Sequence, residues 1–162
     1  MKRFVIANLF LLLFIFAAKA QTQNINCANK NGLNVTEINA LLKSHNDIRT
    51  DQGLPNLKWN CSLADYAQEW ATRGIAEHRD TFYGENIFAA SDEKVSPLDG
   101  LQRWMNEQLF WNSTDKTCQE GKNCVHFLQV INKQTSEIGC GINRAATGKW
   151  KVLMVCNYNP AS

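Results

Sequence analysis

Several features that would settle a function at once are missing from this chain of 162 residues. It has no basic run or stripe. Its 17 Lys and Arg stand against 15 Asp and Glu, for a formal charge of +2, so nothing points to nucleic acid. No two of its six cysteines form a Cys-x-x-Cys pair, which argues against a zinc ribbon or a thiol redox motif. Neither Gly-x-Ser-x-Gly nor His-Glu-x-x-His occurs, so no familiar hydrolase signature is present. The sequence shows no internal repeat, no low-complexity linker and no second domain. The longest apolar run, residues 5–18, is broken only by Asn8 and covers about 14 residues, short of the roughly 20 that a spanning helix needs.

That apolar run follows Lys2 and Arg3 and ends at Ala18-Lys19-Ala20, a small-x-small cleavage site. Residues 1–20 therefore read as a signal peptide, with the mature chain starting near Gln21. A retained anchor is the alternative, and the short run argues against it. About 140 residues remain, enough for one domain with its own core. All six cysteines follow the cleavage site, and an even count behind a signal peptide suggests three disulfides in an oxidising compartment. Fifteen pairings are open to six cysteines. Three glycosylation sequons, at Asn34, Asn60 and Asn112, agree with secretion.

Residues 21–35 are polar and Asn-rich, and read as a loosely ordered lead-in tied down by Cys27. Thr36 is placed to cap a first helix, in which Leu41, Leu42, His45 and Ile48 recur as one buried stripe. His45 on that stripe reads as a core histidine. Ser62 is placed to cap a second helix with Leu63, Tyr66, Ala67, Trp70 and Ala71 on its apolar face. A loop and a short strand near Glu85 follow. Ser96-Pro97 opens a third helix, whose buried face is Leu98, Leu101, Trp104, Met105 and Leu109. Glu107 lies on the flank of that face, directed either to solvent or into a groove. Beyond Cys124 the period changes, and residues 127–131, 136–142 and 149–158 read as strands. Gly148 marks a turn, so a hairpin would set Cys140 and Cys156 roughly opposite, where a bond is easy. Three helices and an antiparallel sheet define a layered α+β domain over residues 36–162.

His45-Asn46-Asp47-Ile48-Arg49, Leu57-Lys58-Trp59-Asn60, Ala67-Gln68-Glu69-Trp70-Ala71, His78, Gly84-Glu85-Asn86, Trp104-Met105-Asn106-Glu107, His126-Phe127-Leu128-Gln129-Val130, Ile138-Gly139-Cys140 and Cys156-Asn157-Tyr158-Asn159-Pro160 occur in that order. Together they resemble the CAP superfamily, the cysteine-rich secretory, antigen 5 and pathogenesis-related-1 proteins, also called SCP-like extracellular proteins. The resemblance implies a three-layer α-β-α sandwich stabilised by disulfides. It implies the pairs Cys140–Cys156 and Cys118–Cys124, and with them Cys27–Cys61. It also implies a cavity lined by the tetrad His78, Glu85, Glu107 and His126, in which His78 and His126 bind zinc in some relatives. Zinc is thus a cofactor this chain can take, with none required. There are departures: relatives usually carry Thr at Leu128 and Trp at Asn132, and many carry a bonded cysteine pair at Gly74 and Ala145.

Three functional readings follow from the resemblance. In the first, the chain is a secreted, monomeric binding or effector protein for extracellular defence or host interaction. Its partner is a sterol or other lipid, or an extracellular protein, and Phe110-Trp111 is the aromatic pair to watch for a ligand groove or for simple burial in the core. In the second, the tetrad serves a metal-assisted hydrolase or protease. No nucleophile motif accompanies it, so binding is preferred to catalysis. In the third, the tetrad is a mutually satisfied structural network beneath a protein-contact surface.

Overall fold

A computed structural model describes residue 25 and residues 27–161. The expected signal peptide lies outside the described residues. Among the described residues, four α-helices and a 3₁₀ turn accompany a four-stranded sheet. Helix α1, Val35–Asp51, is capped by Asn34, whose Oδ1 accepts the Glu37 N–H at 2.9 Å while Glu37 accepts the Asn34 N–H in return. This reciprocal box, and not Thr36, starts the helix, because it satisfies two orphan donors at once. Strand β1, Lys58–Trp59, leads into α2, Cys61–Thr72. Asn60 caps α2 by accepting from Ser62 N and Leu63 N, so the cap stands two residues before Ser62.

Strand β2 is Gly84–Ala90. Helix α3, Pro97–Asn106, has the expected Ser96 cap and Pro97 in its first turn. The chain then tightens into a 3₁₀ turn, Glu107–Phe110, and forms a small hairpin of β3, Trp111–Asn112, and β4, Thr117–Cys118. Helical register is lost at that tightening, so Leu109 does not join the buried face of α3: it is 81% exposed, and Leu98 is 39% exposed. Helix α4, Val125–Val130, occupies most of the stretch expected as a strand. A short apolar run does not by itself distinguish the two states. Strands β5, Glu137–Asn143, and β6, Val152–Asn159, complete the chain, leaving Trp150 outside the strand expected to carry it.

The sheet order is β1-β5-β6-β2. β6 pairs antiparallel with both β5 and β2, and the two-residue β1 lies parallel to β5. Cys140 and Cys156 are register partners and are bonded. Cys27–Cys61 and Cys118–Cys124 are the other two disulfides.

One sheet face packs on α2. Gly139 and Gly141 of β5 permit the contact, since a Cβ on them would stand 2.2 Å from Ala64 N and 2.4 Å from Gln68 Cα. The other face carries the main core, where Phe88, Met154, Tyr158, Ile138 and Ile142 meet Ile38, Leu41, Leu101 and Trp104. The chain is thus a three-layer α-β-α sandwich. The lead-in is packed from Cys27 onward: Leu33 and Asn31 are 0% exposed, and Asn31 O accepts from Ile142 N at the end of β5. Its polar composition hid a backbone that completes the sheet edge.

Candidate functional site

Alternation along β2 sets the direction of Glu85. Gly84, Asn86, Phe88 and Ala90 are buried toward the main core, and Glu85, Ile87 and Ala89 point to the opposite face. Glu85 and Asn86 therefore serve different sides of the sheet.

On the α2 side, Glu85 is 3% exposed in its side chain, and its Oε1 receives His78 Nδ1 at 2.8 Å. Asn157, its register partner on β6, donates to Oε2 at 3.4 Å. His78 comes from the α2–β2 loop and is 58% exposed. The loop is fixed on both sides of it. Trp70 Nε1 donates to Glu77 O at 2.8 Å, Arg79 donates to Tyr66 O at 3.0 Å, and the Arg79 guanidinium lies 3.3 Å from the Tyr66 ring centroid. The result is a buried carboxylate holding an imidazole at the surface.

In the second pair, Glu107 opens the 3₁₀ turn after α3, and His126 is the second residue of α4. Glu107 Oε1 receives His126 Nδ1 at 2.5 Å, while Oε2 accepts the backbone N–H groups of His126 at 2.9 Å and Phe127 at 3.1 Å. The residue before α4, disulfide-bonded Cys124, makes no side-chain cap. Glu107 supplies that cap from outside the helix, where a carboxylate also suits the positive end of the dipole. The Trp104 indole stacks over His126 at 6.3 Å between centroids, and both dyad side chains are largely enclosed.

Behind this second dyad runs a buried polar chain. Asn86 donates to His126 O at 3.0 Å and to Tyr158 Oη at 3.4 Å. Tyr158 donates to His45 Nε2 at 3.0 Å, and His45 Nδ1 donates to Leu41 O at 2.8 Å. His45 and Tyr158 are 0% exposed and Asn86 is 1% exposed. Burial pushes the His45 pKa down to about 4; the Leu41 carbonyl opposes this and the Arg49 charge adds to it. Burial likewise raises the Tyr158 phenol, so both groups are neutral at pH 7. Arg49, also 0% exposed, donates to the carbonyls of Pro55, Val130, Asn132 and Thr135 and so ties α1 to the loops beside it.

The structure pairs the four tetrad residues as two dyads, His78 with Glu85 and His126 with Glu107. Among the described residues, no three His, Cys, Asp or Glu side chains are grouped to hold a metal ion. His45 sits in the core as its place on the helical stripe implied. The contributions of Asn86, Tyr158 and Asn157 were not recognised from sequence, although the period of β2 carried the signal for Asn86. A separate groove of ≈ 310 Å³ opens between α1 and α3, with Ile48, Leu98, Leu101 and Met105 in its wall and Asp47 at its rim. Phe110 and Trp111 are half-buried at the β3–β4 hairpin and do not line it.

A layered α-β-α domain with three disulfides and two His–Glu dyads defines a structural class, and comparison with known proteins gives the family. The CAP profile, the Cysteine-rich secretory protein family, matches residues 42–158. The chain belongs to the CAP family. It is 32% identical over 157 residues to pathogenesis-related protein PR-1 of Medicago truncatula, covering 94% of this chain and 89% of that one. Among solved structures, it resembles venom allergen-like protein 4 of Schistosoma mansoni with a TM-score of 0.65 and 26% identity, over 76% of this chain and 88% of that one. It also shares its fold with NaASP2, determined with Zn2+, at a TM-score of 0.67 and 20% identity, over 83% of this chain and 85% of that one. No helix among the described residues is long and apolar enough to cross a membrane.

Proposed function

We propose that this chain is an extracellular binding protein of defence or host interaction, and that its ligand is an apolar molecule of the lipid or sterol class. The observation that carries this reading is the α1–α3 groove. Its wall sets Ile48, Leu98, Leu101 and Met105 beside Ser44, Asp47 and Gln102, Leu98 is 39% exposed on it, and both helices that form it are anchored to the core by Leu41, Leu101 and Trp104. A preformed cleft with apolar groups and a few polar ones on rigid elements is a default binding site. The pathogenesis-related and venom allergen-like relatives support the setting through their names alone. Catalysis is disfavoured because the Glu107 carboxylate is committed to three donors of His126 and Phe127, leaving one dyad open to solvent.

The test is a fluorescence titration of the full chain with a labelled sterol and a labelled fatty acid. Saturable binding that is lost in Ile48→Trp, which fills the groove, is expected. Binding that survives Ile48→Trp and weakens in Trp111→Ala would move the ligand to the hairpin. The absence of saturable binding to either probe would overturn the lipid reading in favour of a protein target.

Zinc is a separate question, raised for this fold by NaASP2. The donors fit in kind: each histidine presents Nδ1 to a carboxylate, which leaves Nε2 as the ligating atom in the arrangement usual for metal-bound imidazole. His78 and His126 would hold the ion, with Glu85 and Glu107 orienting them. When bound it would supply Lewis acidity. In number the chain offers two nitrogens, so water would fill the remaining positions.

A further inference from the structure

The polar groups of the α1–α3 groove limit what can lie in it. Ser44 and Asp47 come from α1, three residues apart and so on one face of that helix, and Gln102 comes from α3. Asp47 is the one charged residue of the wall among the described residues. Lys43 stands outside the wall and holds Asp47 Oδ2 at 2.5 Å in an i,i+4 ion pair. Asp47 Oδ1 has no partner among the described residues. Gln102 spends one Nε2 hydrogen on Asn106 Oδ1 at 3.0 Å and leaves Oε1 open. The Ser44 hydroxyl also has no partner among the described residues.

A lipid lying in this groove strips water from Asp47 Oδ1, and that oxygen then needs a donor. A hydroxyl head supplies one, and its own oxygen accepts from Ser44 Oγ or from the second Nε2 hydrogen of Gln102. An ester only accepts, and leaves Oδ1 stranded. A carboxylate only accepts and is negative as well. No cation in the wall meets it, since the Lys43 ammonium is already held by Asp47. An ammonium head donates, but the Lys43–Asp47 pair is neutral as a unit. Repulsion from Lys43 then offsets the attraction to Asp47. Either charged head also loses more hydration than a neutral one on entering the groove.

We propose that the groove takes an amphiphile whose polar end is a neutral hydroxyl, and that Asp47 is the residue that selects it. This rests on the lipid reading above and narrows it. A sterol or a long-chain alcohol fits, and a free fatty acid does not. Ile48 follows Asp47 on α1 and also lines the groove, so the head and the apolar body meet the same turn of helix.

The experiment uses the full chain and four probes of one chain length: dodecan-1-ol, methyl dodecanoate, dodecanoate and dodecylammonium. Each is titrated by calorimetry below its micelle-forming concentration at about pH 8, where the acid and the amine are both charged. Dodecan-1-ol is expected to bind about tenfold more tightly than each of the other three, and to lose its binding in Ile48→Trp. Asp47→Asn keeps the shape of the wall and releases Lys43 from its charge partner, so the order of alcohol and carboxylate is expected to invert. Dehydroergosterol and its acetate, followed by sterol fluorescence, give the source of the hydroxyl. Saturation by the free sterol alone assigns it to a sterol, and saturation by neither assigns it to a chain alcohol. Equal affinities for the four heads, tighter binding of a charged head, saturation by the acetate, or an unchanged order in Asp47→Asn overturns the proposal and leaves the lipid reading standing. Alcohol binding that survives Ile48→Trp overturns it too, by placing the ligand outside the groove. No saturable binding of any probe overturns the lipid reading itself, and the proposal with it.

Discussion

The two dyads contain the same groups and do different work. His78–Glu85 joins a loop to a strand, hides its carboxylate and leaves its imidazole 58% exposed. Glu107–His126 joins a 3₁₀ turn to a helix, is 14% and 19% exposed, and spends its carboxylate on two backbone donors besides the ring. Chemical identity therefore does not assign a role. The count of donors already claimed by each carboxylate does, because a carboxylate that caps a helix cannot leave without stranding buried N–H groups. The first dyad leaves its imidazole at the surface, and the second closes the start of α4.

This contrast can be sharpened by the buried chain behind the scaffold dyad. His45 titrates near 4 when folded and near 6.5 when unfolded. Its folded value is lowered, so its contribution is present above about pH 6.5 and is lost as pH falls toward 4. The full loss is about 3 kcal/mol at most. Urea unfolding between pH 7 and pH 4 should show this, and His45→Gln should flatten the dependence. Next in size is Glu107→Ala, which strands the N–H groups of His126 and Phe127 and should cost about 2 kcal/mol in the same assay. The smallest effect belongs to His78→Ala. Water replaces an exposed imidazole beside Glu85, so the loss should stay below about 1 kcal/mol. Equal losses in Glu107→Ala and His78→Ala would erase the distinction.

The fold was legible where local signals agreed. The helical stripe of Leu41, Leu42 and His45, the Ser96-Pro97 start and the turn at Gly148 each pointed to the element that forms. It was not legible where the determinant lies far along the chain. Helix α4 has the β-prone run Val-His-Phe-Leu-Gln-Val, only its first N–H is met locally, by Asn123, and Glu107, which takes the next two, precedes His126 by 19 residues. The four dyad residues could be named from motifs, but their division could not. The register of β2 on β6 sends Glu85 to Asn157 and Asn86 toward Tyr158. The lead-in was misleading for the same reason, since Asn31 and Leu33 are buried by partners on β5 that composition does not reveal.

The most direct test of the distinction is amide hydrogen exchange at His126 and Phe127, followed by NMR in wild type, Glu107→Ala and His78→Ala. If Glu107 caps α4, both amides are protected in wild type and in His78→Ala, and Glu107→Ala exposes them selectively while β5 and β6 stay protected. Protection that survives Glu107→Ala, or that is lost equally in His78→Ala, would contradict the assignment of one dyad to the scaffold and the other to the surface.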